Sequence, residues 1–352
     1  MASPTLISVN TAITRLLGTH TPVVLAPMAG ASGGALSSQV TLAGGFGFIA
    51  SGYGSLEAFR KELDIARSAL NVSSGTLPIG AGFLGWVLDR SDTKGVDYLY
   101  EALNNRVRAV WLSFGNDLGR WVDVVRGHDQ KLGNDPKTLI FIQVNSPEQA
   151  LVAARDWKVD VLVAQGIEAG GHGSASAPPL LTLIPSILSV LPPSSSSPPL
   201  LAAGGLTSGA HLAACLMLGA EGVVMGTRFL LTPESVYSDA QKRALLAAKT
   251  GSTVRSMVFD KLRGTLGWPA GIDGRALRMP YVKEYEDGAN VETLKQNFEE
   301  GMKKGDPSSM VVWAGSSIGL VNEVKPAREI VQEVHADLIE RLRVSSSLVQ
   351  EV

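Results

Sequence analysis

The 352 residues carry 31 Lys and Arg against 33 Asp and Glu, a formal net charge of -2 at pH 7, and 45% of them are hydrophobic. That balance excludes the basic face through which proteins grip nucleic acid or an anionic membrane surface. One cysteine, Cys215, excludes an intrachain disulfide and any CxxC metal site.

In chain order, "TAITRLL" (11–17) predicts a short helix closing the bottom of a barrel. Eight apolar runs follow: 22–27, 46–51, 77–83, 107–114, 138–144, 159–165, 199–204 and 222–226. Each is continuous rather than alternating, the pattern of a strand buried on both faces in a parallel sheet. Amphipathic helices separate them. Ser55 caps "SLEAFRKELDIARSAL", with Leu56, Phe59, Leu63 and Ala66 on one side. Ser146, Pro147 and Gln149 supply N-cap, first-turn proline and capping-box residue for the next. "TSGAHLAACLMLG" starts at Thr207 or Ser208 and stops at Gly219.

Strand and helix alternate about eight times, which predicts an α/β chain folded as a (β/α)8 TIM barrel over 1–232. A doubly wound sheet competes, but no GxGxxG follows the first strand. Residues 233–325 predict a smaller helical lid subdomain, and 326–352 a C-terminal helix packing back on the barrel through Ile330, Val331, Val334, Leu338 and Ile339. "LPPSSSSPP" (191–199) reads as a surface insertion on the bottom face. No signal-like apolar segment and no run of eighteen apolar residues occurs, so the expectation is a soluble cytoplasmic protein, monomer or homodimer.

Chemistry in such a barrel sits at the C-terminal strand ends. Gly204 and Gly205 follow the seventh strand, Gly226 and Thr227 the eighth. Glycine turns there expose backbone N–H groups suited to a phosphate, although they also make ordinary tight turns. Arg228 reads as a carboxylate partner. After strand six, "AQGIEAGGHG" sets His172 among Gly166, Gly170, Gly171 and Gly173 on a flexible loop. Glycines let main chain approach a flat ligand, and an imidazole titrates near neutral pH. The competing reading has His172 merely bonding a loop carbonyl. A metal role fails for want of partners at ligand spacing. His211 reads as surface or packing, and Cys215, mid-helix among leucines, as core.

"APMAG", "AQGIEAGGHG", "AAGGL" and "VMGTRF", in that order, resemble the nitronate monooxygenases, over roughly residues 10–340. The resemblance implies an FMN barrel that oxidises alkyl nitronates with O2 to a carbonyl compound and nitrite. It makes His172 the catalytic residue, acting on neutral nitroalkane or bound nitronate. It places Ala26, Pro27 and Met28 against the isoalloxazine, Gln143 and Gln165 as polar groups near it, and Gly166, Gly170 and Gly171 along its approach. Gly204, Gly205, Gly226 and Thr227 become the phosphate cradle. "WAGSSIGLV" brings Gly315 and Ser316 back to the site. Where many relatives carry asparagine, this chain has Gly82-Phe83-Leu84, so backbone groups there would have to serve. The same motifs occur in NAD(P)H-dependent enoyl-thioester and quinone reductases, and a secondary-metabolite flavoenzyme or a flavin-binding protein without turnover also fits them.

Overall fold

In the computed structural model, residues 7–52, 54–90, 95–133, 135–192, 197–346 and 348 are described. Eight parallel strands form the central sheet: β1 (Val23–Leu25), β2 (Phe48–Ala50), β3 (Leu77–Leu84), β4 (Val107–Ser113), β5 (Leu139–Val144), β6 (Val161–Gln165), β8 (Leu200–Ala203) and β9 (Gly222–Met225). Their order, β1-β9-β8-β6-β5-β4-β3-β2, is that of a ring. It closes just ahead of β2: Leu25 N–H donates to the Phe46 carbonyl at 2.9 Å, and Phe46 N–H donates to that of Val23 at 3.0 Å. All eight runs predicted from apolar continuity are therefore strands of one barrel. The reason is burial on both faces, complete along β6, β8 and β9.

Inside the barrel, Phe46, Phe48, Trp111 and Phe141 interlock, with Phe48 edge-on to the other three at 5.1–5.4 Å between centroids. Ile13, wholly buried, reaches this cluster from the helix Ala12–Leu17 and plugs the bottom. The outer helices start where their caps say. Ser55, Ser146 and Ser208 each accept a backbone N–H three residues on. The C-terminal helix Ala327–Ser346 buries Ile330, Val331, Val334 and Leu338 against the barrel's outside, with Ile339 half-buried at the margin. Gly209 makes that seat possible: a Cβ there would overlap the Leu338 amide nitrogen. Ala210 N–H donates to Asp337 Oδ2 at 2.8 Å beside it.

The segment 233–325 differs from the helical lid expected. It contains helices, among them Asp239–Ala247, Val258–Arg263 and Val291–Lys304. It also supplies β10 (Thr253–Ser256) and β11 (Ile272–Leu277), which join β7 (Gly171–Ser174) in an antiparallel sheet ordered β10-β11-β7. The cap is thus α+β. Its strands escape apolar pattern-reading because they are short and carry charge: Arg255, Asp273 and Arg275 stand among uncharged residues. A separate apolar core around Phe259, Tyr281 and Phe298 backs this sheet. Residues 193–196 of the proline-serine run lie outside the described residues. The run's flanks are the helix Leu180–Val190 and the N-terminal end of β8, the bottom of the barrel. No helix among the described residues is long and apolar enough to cross a membrane.

Candidate active site

A cleft opens where the parallel strands end, between the barrel and the cap. Ala26, Pro27 and Met28 follow β1 along one wall, and Gly82 lies on β3. Gln143 and Gln165 stand at the ends of β5 and β6, with Gly204, Gly205, Gly226 and Thr227 beyond β8 and β9. The cap contributes Gly170, Gly171, His172, Arg263, Trp268, Trp313 and Gly315. Two expected residues fall outside the lining. Gly166 is a packing glycine, since a Cβ there would run into Glu168 and into Leu180 Cγ at 2.8 Å. Ser316 donates its backbone N–H to the Glu168 carbonyl at 3.0 Å, and its neighbour Ser317 lines the cleft instead.

His172 sits on β7, in register with Gly274 of β11, so the flexible loop expected for it is a paired strand. Glycine at 274 leaves room: a Cβ there would stand 2.5 Å from the Trp313 ring. Asp260, wholly buried on the helix Val258–Arg263, meets His172 Nε2 with both oxygens, at 2.9 and 3.0 Å. Asp260 Oδ1 also accepts from Thr265 Oγ1 at 2.7 Å and from Trp268 Nε1 at 3.0 Å. The Trp268 ring then lies on the imidazole, centroids 3.5 Å apart and planes within 13°, while Trp313 leans in at 4.8 Å. The alternative of a loop-carbonyl partner does not hold for this ring. Burial pulls the imidazole's pKa below the ordinary histidine range, against the opposing pull of Asp260, with Arg263 and Arg255 adding to the depression.

Behind the histidine, polar side chains hold the main chain. Gln143 Nε2 donates to Gln165 Oε1 at 2.9 Å, and Gln165 Nε2 donates to the His172 carbonyl at 3.0 Å. Asn145 Nδ2 donates to the Gln165 carbonyl at 2.7 Å. Two half-buried guanidiniums of the cap reach the same segment. Arg255, paired with Asp273, donates to the Gly173 carbonyl at 2.8 Å, and Arg275 to that of Ile167 at 3.1 Å. The two glutamines therefore act first as struts for β7.

At the glycine turns, Gly204 and Gly205 have φ of 128° and 66°, a region that favours glycine. The backbone N–H groups of Gly205, Gly226 and Thr227 have no protein acceptor among the described residues. Thr227 Oγ1 instead accepts from Gly315 N–H at 2.9 Å, tying the cap's return segment to the last strand. His211, read as surface or packing, is half-buried, and its Nδ1 accepts from Thr207 N–H at 3.2 Å and so braces the turn. Arg228 is buried and donates to the Glu323 carbonyl at 3.2 Å rather than to a carboxylate. Cys215 is the core residue expected: burial pushes its thiol up to about 12.

Asp260, Trp268, Trp313, Arg255, Arg263 and Arg275 were not among the predicted site residues. Asp260 follows the apolar "MVF" of an amphipathic helix, where a carboxylate reads as solvent-facing. Its partner lies 88 positions away in sequence, and no local spacing signals that pair.

A β/α barrel with glycine turns at its strand ends, capped by a sheet that delivers a largely buried histidine, is the frame of a barrel enzyme with its site at that face. Comparison with known proteins narrows this. The sequence model described as nitronate monooxygenase matches residues 10–337, and the chain belongs to that family. It is 32% identical to the nitronate monooxygenase of Neurospora crassa, over 92% of this chain and 91% of that one. It is 34% identical to the nitronate monooxygenase npaC of Metarhizium robertsii, over 90% of each. Among solved structures it is similar to FabK from Thermotoga maritima, with TM-score 0.78, 25% identity, and coverage of 97% of this chain and 100% of that one. It is also similar to the nitroalkane oxidase of Streptomyces ansochromogenes, with TM-score 0.76, 27% identity, and coverage of 95% and 99%.

Proposed function

We propose that this chain oxidises alkyl nitronates with O2 to a carbonyl compound and nitrite, using FMN, and that it accepts neutral nitroalkanes through His172. The observation that carries the reading is the imidazole itself: largely buried, ring-stacked, carboxylate-bound at one nitrogen and facing the cleft. Family membership supplies the reaction class.

The residues present fit FMN. Among the described residues the amides of Gly205, Gly226 and Thr227 have no protein acceptor, which suits them to its phosphate. Ala26, Pro27 and Met28 offer a small apolar wall for the ring. Gly82 lets Pro27 pack closely there, for a Cβ at position 82 would overlap it. When bound, FMN supplies the redox chemistry with O2.

The protein's own part is proton handling and orientation. At neutral pH the depressed pKa keeps His172 uncharged, the form that accepts a proton. With a nitroalkane it takes the proton from the carbon bearing the nitro group. The C–H electron pair becomes the C=N bond, and the negative charge passes to the nitro oxygens. With a preformed nitronate that step is unnecessary. Trp268 and Trp313 cover the ring and exclude water. Arg263, at the cleft and over the Trp313 ring at 5.8 Å, adds positive charge where an anion enters.

The test is nitrite release from the FMN-loaded protein supplied with ethyl nitronate or nitroethane in air. Fast anaerobic bleaching of the flavin by NADH, with no nitrite in air, would instead mark a reductase.

A further inference from the structure

Most of the imidazole's surroundings concern one of its two nitrogens. Both Asp260 oxygens lie within 3.0 Å of Nε2. Nδ1 has no protein hydrogen-bond partner among the described residues, and the ring lines the cleft. Which nitrogen carries the proton in a neutral histidine is set by what the other atoms around it accept or donate.

We propose that Asp260 is a positioning residue that holds neutral His172 with its proton on Nε2, so that Nδ1 is the atom that takes the substrate's proton. This rests on the reading of His172 as the base. A carboxylate only accepts, so Nε2 must donate to it. Asp260 is itself fixed by two further donors, Thr265 Oγ1 and Trp268 Nε1. Trp268 thus clamps the dyad twice, by its indole N–H on the carboxylate and by its face on the imidazole. Rotation of the ring would break the Asp260 bond and the stack together. The charged groups facing the ring are Asp260 and Arg263 from one helix and Arg255 from β10, and Arg255 is matched by Asp273 of β11. Asp260 is therefore the anion that meets the imidazolium formed when Nδ1 gains the proton. Proton transfer then creates a paired cation rather than a lone one in a buried place.

The experiment reads the tautomer directly. Protein labelled with 15N-histidine is examined by long-range 15N–1H correlation, and the His172 signals are assigned by their loss in His172→Asn. The wild-type spectrum is expected to show Nε2 protonated and Nδ1 bare. In Asp260→Asn the amide's carbonyl oxygen keeps Thr265 and Trp268, its NH2 donates to Nε2, and the proton moves to Nδ1. That variant is expected to lose about 10²-fold in kcat/KM for nitroethane, the scale of a general base. It should keep ethyl nitronate turnover to within a few-fold, with FMN binding unchanged. A wild-type spectrum with Nδ1 protonated overturns the assignment, whether or not the variant folds. Equal loss on both substrates in a folded, FMN-replete variant overturns the positioning role. If the wild-type protein releases no nitrite from either substrate, the proposed reaction fails, while the spectrum still decides the tautomer.

Discussion

Asparagine at position 172 would keep a polar side chain on β7 but remove the base. For His172→Asn we expect nitroethane kcat/KM to fall by about 10²–10⁴-fold while ethyl nitronate turnover and FMN content persist. Equal loss on both substrates would show that the imidazole does not take the carbon-bound proton. The acid side of the nitroethane pH profile follows from the same ring. Protonation removes the base, so kcat/KM falls as pH falls through its pKa. Burial lowers that pKa, so the midpoint is expected below the ~6.5 of free histidine; a steady-state profile with its limb above that value contradicts the assignment. His172 itself is legible in the sequence, because a lone imidazole amid glycines after an apolar strand has few structural excuses. Asp260 is not, because its role exists only once the cap has folded over the strand ends.

At the scale of elements, legibility follows burial. The barrel strands are covered on both faces, so their runs are continuous and each could be placed from composition alone. β10 and β11 cross a half-exposed cap with arginines and an aspartate in the strands; the arginines hold carbonyls of the 167–173 segment and the aspartate accepts from Arg255. A short strand whose charged residues are structural imitates a loop. The C-terminal helix shows the opposite case: its stripe was readable and its seat is observed. Leu338, wholly buried there, should cost about 2–5 kcal/mol on Leu338→Ala. Denaturant unfolding is expected to show that loss with KM for nitronate unchanged, since the helix lies outside the barrel, away from the cleft. A shifted KM with intact stability would mean the helix acts on the site.

Across the whole molecule, the cap's return segment is tied down through its own backbone amides. Gly315 N–H reaches Thr227 Oγ1 and Ser316 N–H the Glu168 carbonyl, while Ala314 N–H ties the segment to the cap's own Arg275 carbonyl at 3.4 Å. Gly170 lies beneath this return segment, and a Cβ there would overlap Ala314 and Gly315 main chain. Gly170→Ala is therefore expected to lower stability by about 1–3 kcal/mol and to weaken FMN binding, read by thermal melting and by flavin titration. If both stay at wild-type values, the close approach of these two backbones is not needed.

β7 belongs by sequence to the barrel, between its sixth and seventh parallel strands, yet by pairing it belongs to the cap. The proposed proton-transfer group, His172, is in effect lodged by one half of the molecule on behalf of the other. Exchanging caps between relatives would leave the flavin's seat with the host and import the donor's surroundings for the imidazole. Basicity and reach toward the substrate would then be inherited separately from cofactor affinity, along a seam that runs through a single four-residue strand.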